Sequence, residues 1–319
     1  MECDLPTLYA ARGGDLTESD LYTVDHLTGA CTSVGPIGYA VDGMEFDPTT
    51  GRFWAVTTHL SGQSPCCLIS IDPGTGAGTL VGPLGLSSGP LYDVDPTAVE
   101  DIGVGDLCML PDGRLIGLTN SGARGLNVGS LSADGNDRIV VIDKETGAAS
   151  LFGSGADFDP DYYFFTDPAS IVYDEVLGFI YVMSSSDEII RVDPVTGQTL
   201  YNYTHINTDA NNKCASIGPD DKCWIVEYGD SYPSFVTDFS GDPWLGYFAT
   251  LDDDLAPDPL VGNNPSDPGG FNPTNSNDGA DTIIIGTMDV AQIDAIAWGP
   301  ATARPMVCDT VGAAPMTCD

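Results

Sequence analysis

Leu68-Ile-Ser-Ile-Asp-Pro-Gly-Thr-Gly76 is a short apolar strand that runs straight into an Asp-x-x-Thr-Gly turn. In such a turn the Asp side chain accepts hydrogen bonds from the turn amides, and the Gly takes the positive φ that closes the hairpin. The phrase recurs as Leu21-Tyr-Thr-Val-Asp-His-Leu-Thr-Gly29, Ile139-Val-Val-Ile-Asp-Lys-Glu-Thr-Gly147 and Ile189-Ile-Arg-Val-Asp-Pro-Val-Thr-Gly197. A worn copy reads Tyr247-Phe-Ala-Thr-Leu-Asp-Asp-Asp254. Repetition at this scale belongs to solenoids, propellers and arrays.

The sequence around each copy separates these architectures. Ahead of the phrase lies a strand with an apolar centre: Leu8-Tyr-Ala-Ala-Arg12, Phe53-Trp-Ala-Val-Thr57, Leu115-Ile-Gly-Leu-Thr119, Phe179-Ile-Tyr-Val-Met183 and Trp224-Ile-Val-Glu-Tyr228. Ahead of that lies a strand ending in a tight turn, as in Gly43-Met-Glu-Phe-Asp-Pro-Thr-Thr-Gly51 and Leu107-Cys-Met-Leu-Pro-Asp-Gly113. A fourth strand follows, such as Ala149-Ser-Leu-Phe152. Four short strands per unit, without helical periodicity, describe a propeller blade. The chain opens on a second strand and its last strand, Ala295 to Pro300, is an inner one. The expected fold is therefore all-β: a five-bladed β-propeller of four-stranded antiparallel blades, its ring closed by N- and C-terminal strands sharing one blade. The propeller is expected to span residues 1–304, with a Cys- and Pro-containing tail at 305–319. A sixth blade between Gly82 and Arg138 is not expected, since no Asp-x-x-Thr-Gly turn lies there.

Phe46-Asp-Pro-Thr-Thr-Gly51 followed by Phe53-Trp54, together with Ile71-Asp-Pro-Gly-Thr-Gly76, resembles secreted bacterial β-propeller repeat proteins of the YVTN and Ile-Asp-Pro-x-Thr-Gly kind. The resemblance runs over residues 5 to 304. It implies a propeller, usually exported, with roles from surface layers and adhesion to ligand binding. It does not imply one activity.

Charge narrows the partners. The 319 residues carry 47 acidic and 10 basic side chains, a formal charge of −37, with Lys only at positions 144, 213 and 222. Such a surface repels phosphate backbones and anionic lipid, so neither nucleic acid nor membrane insertion is expected. No run of 18 or more apolar residues is present either. Nine cysteines point to an oxidising, secreted or cell-surface setting. Cys214 and Cys223 flank one tight turn and are expected to form a disulfide, and a Cys3–Cys308 bond would lock the ring. Cys31 with Cys66 or Cys67 is a third pairing, and Cys318 on the tail is the intermolecular candidate. Few histidines and no Cys-x-x-Cys argue against zinc.

Loop lengths place the expected function. Turns from first to second and from third to fourth strand are short, whereas the long connections, the last of them Gly262 to Ala291, emerge together on the opposite face. Long loops on a rigid scaffold are where recognition is usually built. Tyr92, Asp93, Tyr162, Tyr163, Phe165, Tyr232 and Trp244 form the expected aromatic and acidic binding face, suited to sugar rings or a protein partner. Asp157, Asp159 and Asp161 alternate at a spacing that suits calcium, the one cofactor expected. With inner strands aligned on Phe46, Leu110, Tyr173, Ile217 and Trp298, a broken carboxylate ring of Asp42, Asp106 and Asp294 emerges, interrupted by Ala169 and Lys213; an alternative alignment recruits Asp101 and Asp167.

No Gly-x-Ser-x-Gly, His-Glu-x-x-His or phosphate-binding Gly loop is present. The expectation is a non-enzymatic extracellular propeller acting in surface structure, adhesion or self-assembly into filaments. Its partners would be further copies of itself, or a surface glycan or protein. A glycan- or protein-binding module is the alternative, and a carboxylate-based polysaccharide-active enzyme stands behind both.

Overall fold

Each Asp-x-x-Thr-Gly phrase closes the hairpin its chemistry implies. The Oδ1 atom of Asp72 accepts from the amides of Gly74 (2.9 Å) and Thr75 (3.0 Å), while Gly76 N–H returns to the Asp72 carbonyl at 2.8 Å. Asp143 and Asp193 repeat the pattern with the amides two and three residues on. The four turn glycines, Gly29, Gly76, Gly147 and Gly197, all have φ near +80°. Asp47 and Asp174 build the same turn between first and second strands.

The computed structural model describes residues 6–13, 16–86, 103–120, 138–153, 168–184, 188–197, 199–204, 210–219, 222–229, 243–248, 282–288, 290 and 293–300. These form four-stranded antiparallel sheets and no helix. One sheet joins β1 (Thr7–Arg12), β2 (Asp20–Val24) and β3 (Cys31–Pro36) to β20 (Ile293–Gly299). The next holds β4 (Val41–Asp47), β5 (Arg52–Thr57), β6 (Cys67–Ile71) and β7 (Gly78–Pro83). A third holds β8 (Gly103–Met109), β9 (Leu115–Asn120), β10 (Ile139–Ile142) and β11 (Ala149–Leu151). A fourth holds β12 (Pro168–Asp174), β13 (Phe179–Ser184), β14 (Glu188–Val192) and β15 (Thr199–Thr204). The last holds β16 (Ala210–Ile217), β17 (Cys223–Gly229), β18 (Pro243–Phe248) and β19 (Thr282–Thr287). The arrangement is that of a β-propeller. Among the described residues, the stretch between Gly82 and Arg138 adds strands of one sheet only.

The core lies between sheets. Along β5, Phe53 and Ala55 pack with Tyr9, Ala11 and Ala297 of the preceding sheet, while Trp54 and Val56 pack with Leu107, Leu115 and Val140 of the following one. A central strand covered on both faces reads as a continuous apolar run, and β6 is buried at every position. Glycine contacts repeat from seam to seam. A side chain at Gly76 would meet the Gly35 carbonyl oxygen at 2.6 Å, one at Gly147 the Gly82 carbonyl, and one at Gly153 the Thr196 carbonyl. The turn of one sheet thus docks on the outer strand of its predecessor. Two backbone bonds reinforce it, from Gly78 N–H to Ile37 O (3.0 Å) and from Ala149 N–H to Leu84 O (2.8 Å).

Several expectations are corrected here. Cys214 and Cys223 are not bonded, and all six described cysteines are thiols. In the register Cys214 faces Val226 and Cys223 faces Ile217, and the two side chains enter core clusters on opposite faces of their sheet. Cys31 and Cys66 likewise belong to different inter-sheet clusters. Cys3, Cys308 and Cys318 lie outside the described residues. Alkylation of denatured, unreduced protein should therefore label both Cys214 and Cys223. Recovery of a peptide linking them would contradict the register. The outer strand β19, Thr282 to Thr287, falls inside a stretch read as one long connection. Its unbroken apolar run Ile283-Ile284-Ile285 was the available signal.

Candidate functional site at the tight-turn face

Every inner strand carries a one-residue bulge at the same rung, leaving Asp42, Gly105, Ala169, Lys213 and Asp294 outside the pairing. This corrects the carboxylate ring. Asp106 sits one position past the bulge, so the acidic positions at this level are Asp42 and Asp294 alone. Asp106 is an inter-sheet staple instead: its Oδ2 accepts from Ser170 Oγ at 2.6 Å and from Ile171 N–H at 3.0 Å.

At the other end of the same strands the register aligns Phe46, Met109, Tyr173, Ile217 and Trp298, opposite Phe53, Leu115, Ile180, Cys223 and Leu8. Met109, not Leu110, holds this position in the third sheet. All five are large and half-buried, and each packs against a different inter-sheet core cluster. They line one cavity of about 620 Å³ whose rim is made by the tight turns at Pro48–Thr49, Pro111–Gly113, Glu175 and Gly218–Pro219. A strand that ends on a large apolar residue just before a tight turn delivers that side chain to the rim, and the repeat does so in every sheet.

The polar groups here differ in character. Asp47 is buried and fully engaged. Thr49 donates to its Oδ1 through N–H (2.8 Å) and Oγ1 (2.5 Å), while Trp54 Nε1 (3.0 Å) and Lys144 Nζ (2.8 Å) donate to Oδ2. Burial opposes its ionisation, but the bonds from Lys144, Thr49 and Trp54 hold it well below the usual carboxylate range. Glu45 is the reverse case: burial and then the nearby Asp106 carboxylate push it well above that range. The Cys108 thiol is raised by burial and by Glu45 and Asp106, which makes it a poor nucleophile. Tyr173 is raised by burial and then by the Glu175, Asp174 and Asp112 carboxylates. Trp298 Nε1–H is buried with no hydrogen-bond acceptor, although its backbone N–H donates to Ser216 Oγ at 3.3 Å. Its ring meets His26 (centroids 5.3 Å) and Trp224 (5.8 Å), so His26 stands on this face as part of an aromatic cluster.

The site expected from the loops falls, but for Trp244, on residues that are not described. Tyr92, Asp93, Tyr162, Tyr163, Phe165 and Tyr232, with Asp157, Asp159 and Asp161, are outside the described residues. Trp244 is in β18 rather than a loop, paired with Glu227 and Thr287. Among the described residues no three His, Cys, Asp or Glu side chains converge as metal ligands.

No family model and no curated protein matches the chain. Among solved structures it is similar to a Bacteroides uniformis protein named provisionally as a 6-phosphogluconolactonase. There the identity is 15% and the TM-score 0.39, over 78% of this chain and 66% of that one. A Bacteroides thetaiotaomicron protein of unknown function shares 12% identity at TM-score 0.41, over 79% and 57% of the two chains. A Thermus thermophilus protein, named provisionally as an oxidoreductase (glucose dehydrogenase), shares 17% at 0.38, over 69% and 72%. The chain spans under two thirds of the length of the first two. At these TM-scores the likeness does not extend to function.

Proposed function

We propose that the chain is a non-catalytic extracellular binding propeller, with five blades in one closed ring and its ligand seated in the tight-face cavity. Two observations support closure. β20 pairs with β1 from Thr7 opposite Gly299 to Arg12 opposite Ile293. The inner strands also touch in the cyclic order β20, β4, β8, β12, β16 and back to β20. The observation that carries the binding reading is the half-buried ring of Phe46, Met109, Tyr173, Ile217 and Trp298 around about 620 Å³ of space. Apolar walls with a few polar groups are the usual make-up of a small-molecule site. The acidic surface and the repeat resemblance favour export and a role in adhesion. The cysteines no longer add to that case, because the Cys214–Cys223 bond is absent.

A saturation-transfer panel of monosaccharides, amino acids and small amines tests the reading. Ile217→Trp adds bulk inside the cavity at a half-buried position. The expected result is a set of hits lost in Ile217→Trp at an unchanged unfolding midpoint. Hits that survive the substitution place binding elsewhere, and turnover of any hit contradicts the non-catalytic assignment.

A further inference from the structure

Resting on that reading, we infer that the cavity selects small organic cations, in particular alkylammonium groups, over neutral or anionic molecules of the same shape. Three of the five ring positions are aromatic, namely Phe46, Tyr173 and Trp298, whose π faces attract an ammonium group. Glu45, Asp47 and Glu175 line the same space, and the described lining includes no Lys, Arg or His. Among the described residues, the basic group bonded to a lining carboxylate is Lys144, engaged by Asp47 on the rim. An anion entering this cup would find no countercharge. A neutral ligand could donate hydrogen bonds to the carboxylates but would bring them no countercharge. A cation meets aromatic and acidic groups together, within a chain of formal charge −37 that concentrates cations around it.

Glu45 gives the inference a pH signature. It stands in β4 opposite Trp54, with Asp106 of β8 acting on it, the Cys108 thiol of β8 raised by it, and the Asp47–Lys144 pair two residues on. Burial and Asp106 favour its protonated form, and a bound cation favours the ionised one. Cation binding therefore expels a proton, and affinity rises with pH.

Choline and 3,3-dimethyl-1-butanol, its neutral isostere, are the probes, titrated calorimetrically into the full chain. The expected result is choline binding about tenfold more tightly than the alcohol at pH 7.5, an advantage that shrinks at pH 5.5. Glu45→Gln should remove most of that advantage, and Ile217→Trp should remove binding of both probes. Equal affinity for the two probes, or a choline preference untouched by Glu45→Gln, overturns the cation inference while leaving a cavity that binds. No saturable choline binding overturns it as well, and the Ile217→Trp panel then decides separately whether the cavity takes any ligand. Binding of both probes that persists in Ile217→Trp overturns both readings.

Discussion

Gly147→Ala is expected to cost the fold about 3 kcal/mol or more, among the largest losses available from a single methyl group. Gly147 has φ +83°, which an L side chain rarely adopts. Its added Cβ would also press on the Gly82 carbonyl of the preceding sheet, 2.7 Å from the carbonyl carbon. Backbone on both sides leaves nothing flexible to give way. Gly113 separates the two contributions. Its φ is +84°, yet a side chain there meets nothing within 4 Å. Gly113→Ala should cost only the backbone strain, about 1 kcal/mol. Urea midpoints for the two variants measure the difference. Equal losses would mean that the glycine in the repeated phrase serves the turn alone and not the seam.

Asp47→Asn is expected to destabilise by about 2 kcal/mol at neutral pH. Breaking a buried ion pair costs about 3–5 kcal/mol, and the one-quarter exposure of Lys144 calls for discounting that range. An amide in place of the carboxylate also turns N–H groups toward Trp54 Nε1 or Lys144, which are themselves donors. The pH dependence has a definite sign. The folded Asp47 carboxyl is depressed far below its unfolded value of about 3.9. Its contribution is therefore fully present above that value and is lost as pH falls toward the folded one. The gap between wild type and Asp47→Asn should be constant from pH 7 to about 5 and narrow steadily below about 4. A gap independent of pH would mean the carboxylate is not what holds Lys144. A double-mutant cycle with Lys144→Met isolates the pair.

The repeated phrase made the architecture legible because its chemistry is local. An Asp, its turn amides and a positive-φ glycine sit within five residues, and all four well-formed copies close their turns as read. The seams were less legible. Nothing near Gly147 in sequence says that Gly82 packs against it, although the parallel segments Gly35-Pro36-Ile37-Gly38 and Gly82-Pro83-Leu84-Gly85 are a second repeat that marks the docking points. Registers were legible only to within one residue. The one-residue bulge in each inner strand depends on pairing, so Asp106 was placed with Asp42 and Asp294 when it staples the adjacent sheet. The Cys214–Cys223 pairing failed for a related reason. Proximity to one turn does not determine which face of the sheet each side chain takes. The cavity was half visible. Phe46, Tyr173, Ile217 and Trp298 were aligned correctly, but as core centres, because convergence of equivalent positions on one cavity belongs to the packing of the sheets together and to no single repeat.

The indole N–H resonances of the four tryptophans test the tight-face site most directly. Trp54 Nε1–H is bonded to Asp47, whereas Trp298 Nε1–H is buried in the cavity wall without an acceptor. Trp298→Phe assigns its peak in a proton–nitrogen correlation spectrum. Titration with any hit from the panel, choline included, should move the Trp298 indole peak in a saturable way while Trp244 stays still. A ligand that binds tightly and leaves the Trp298 peak unmoved would contradict the account and return the search to the long loops.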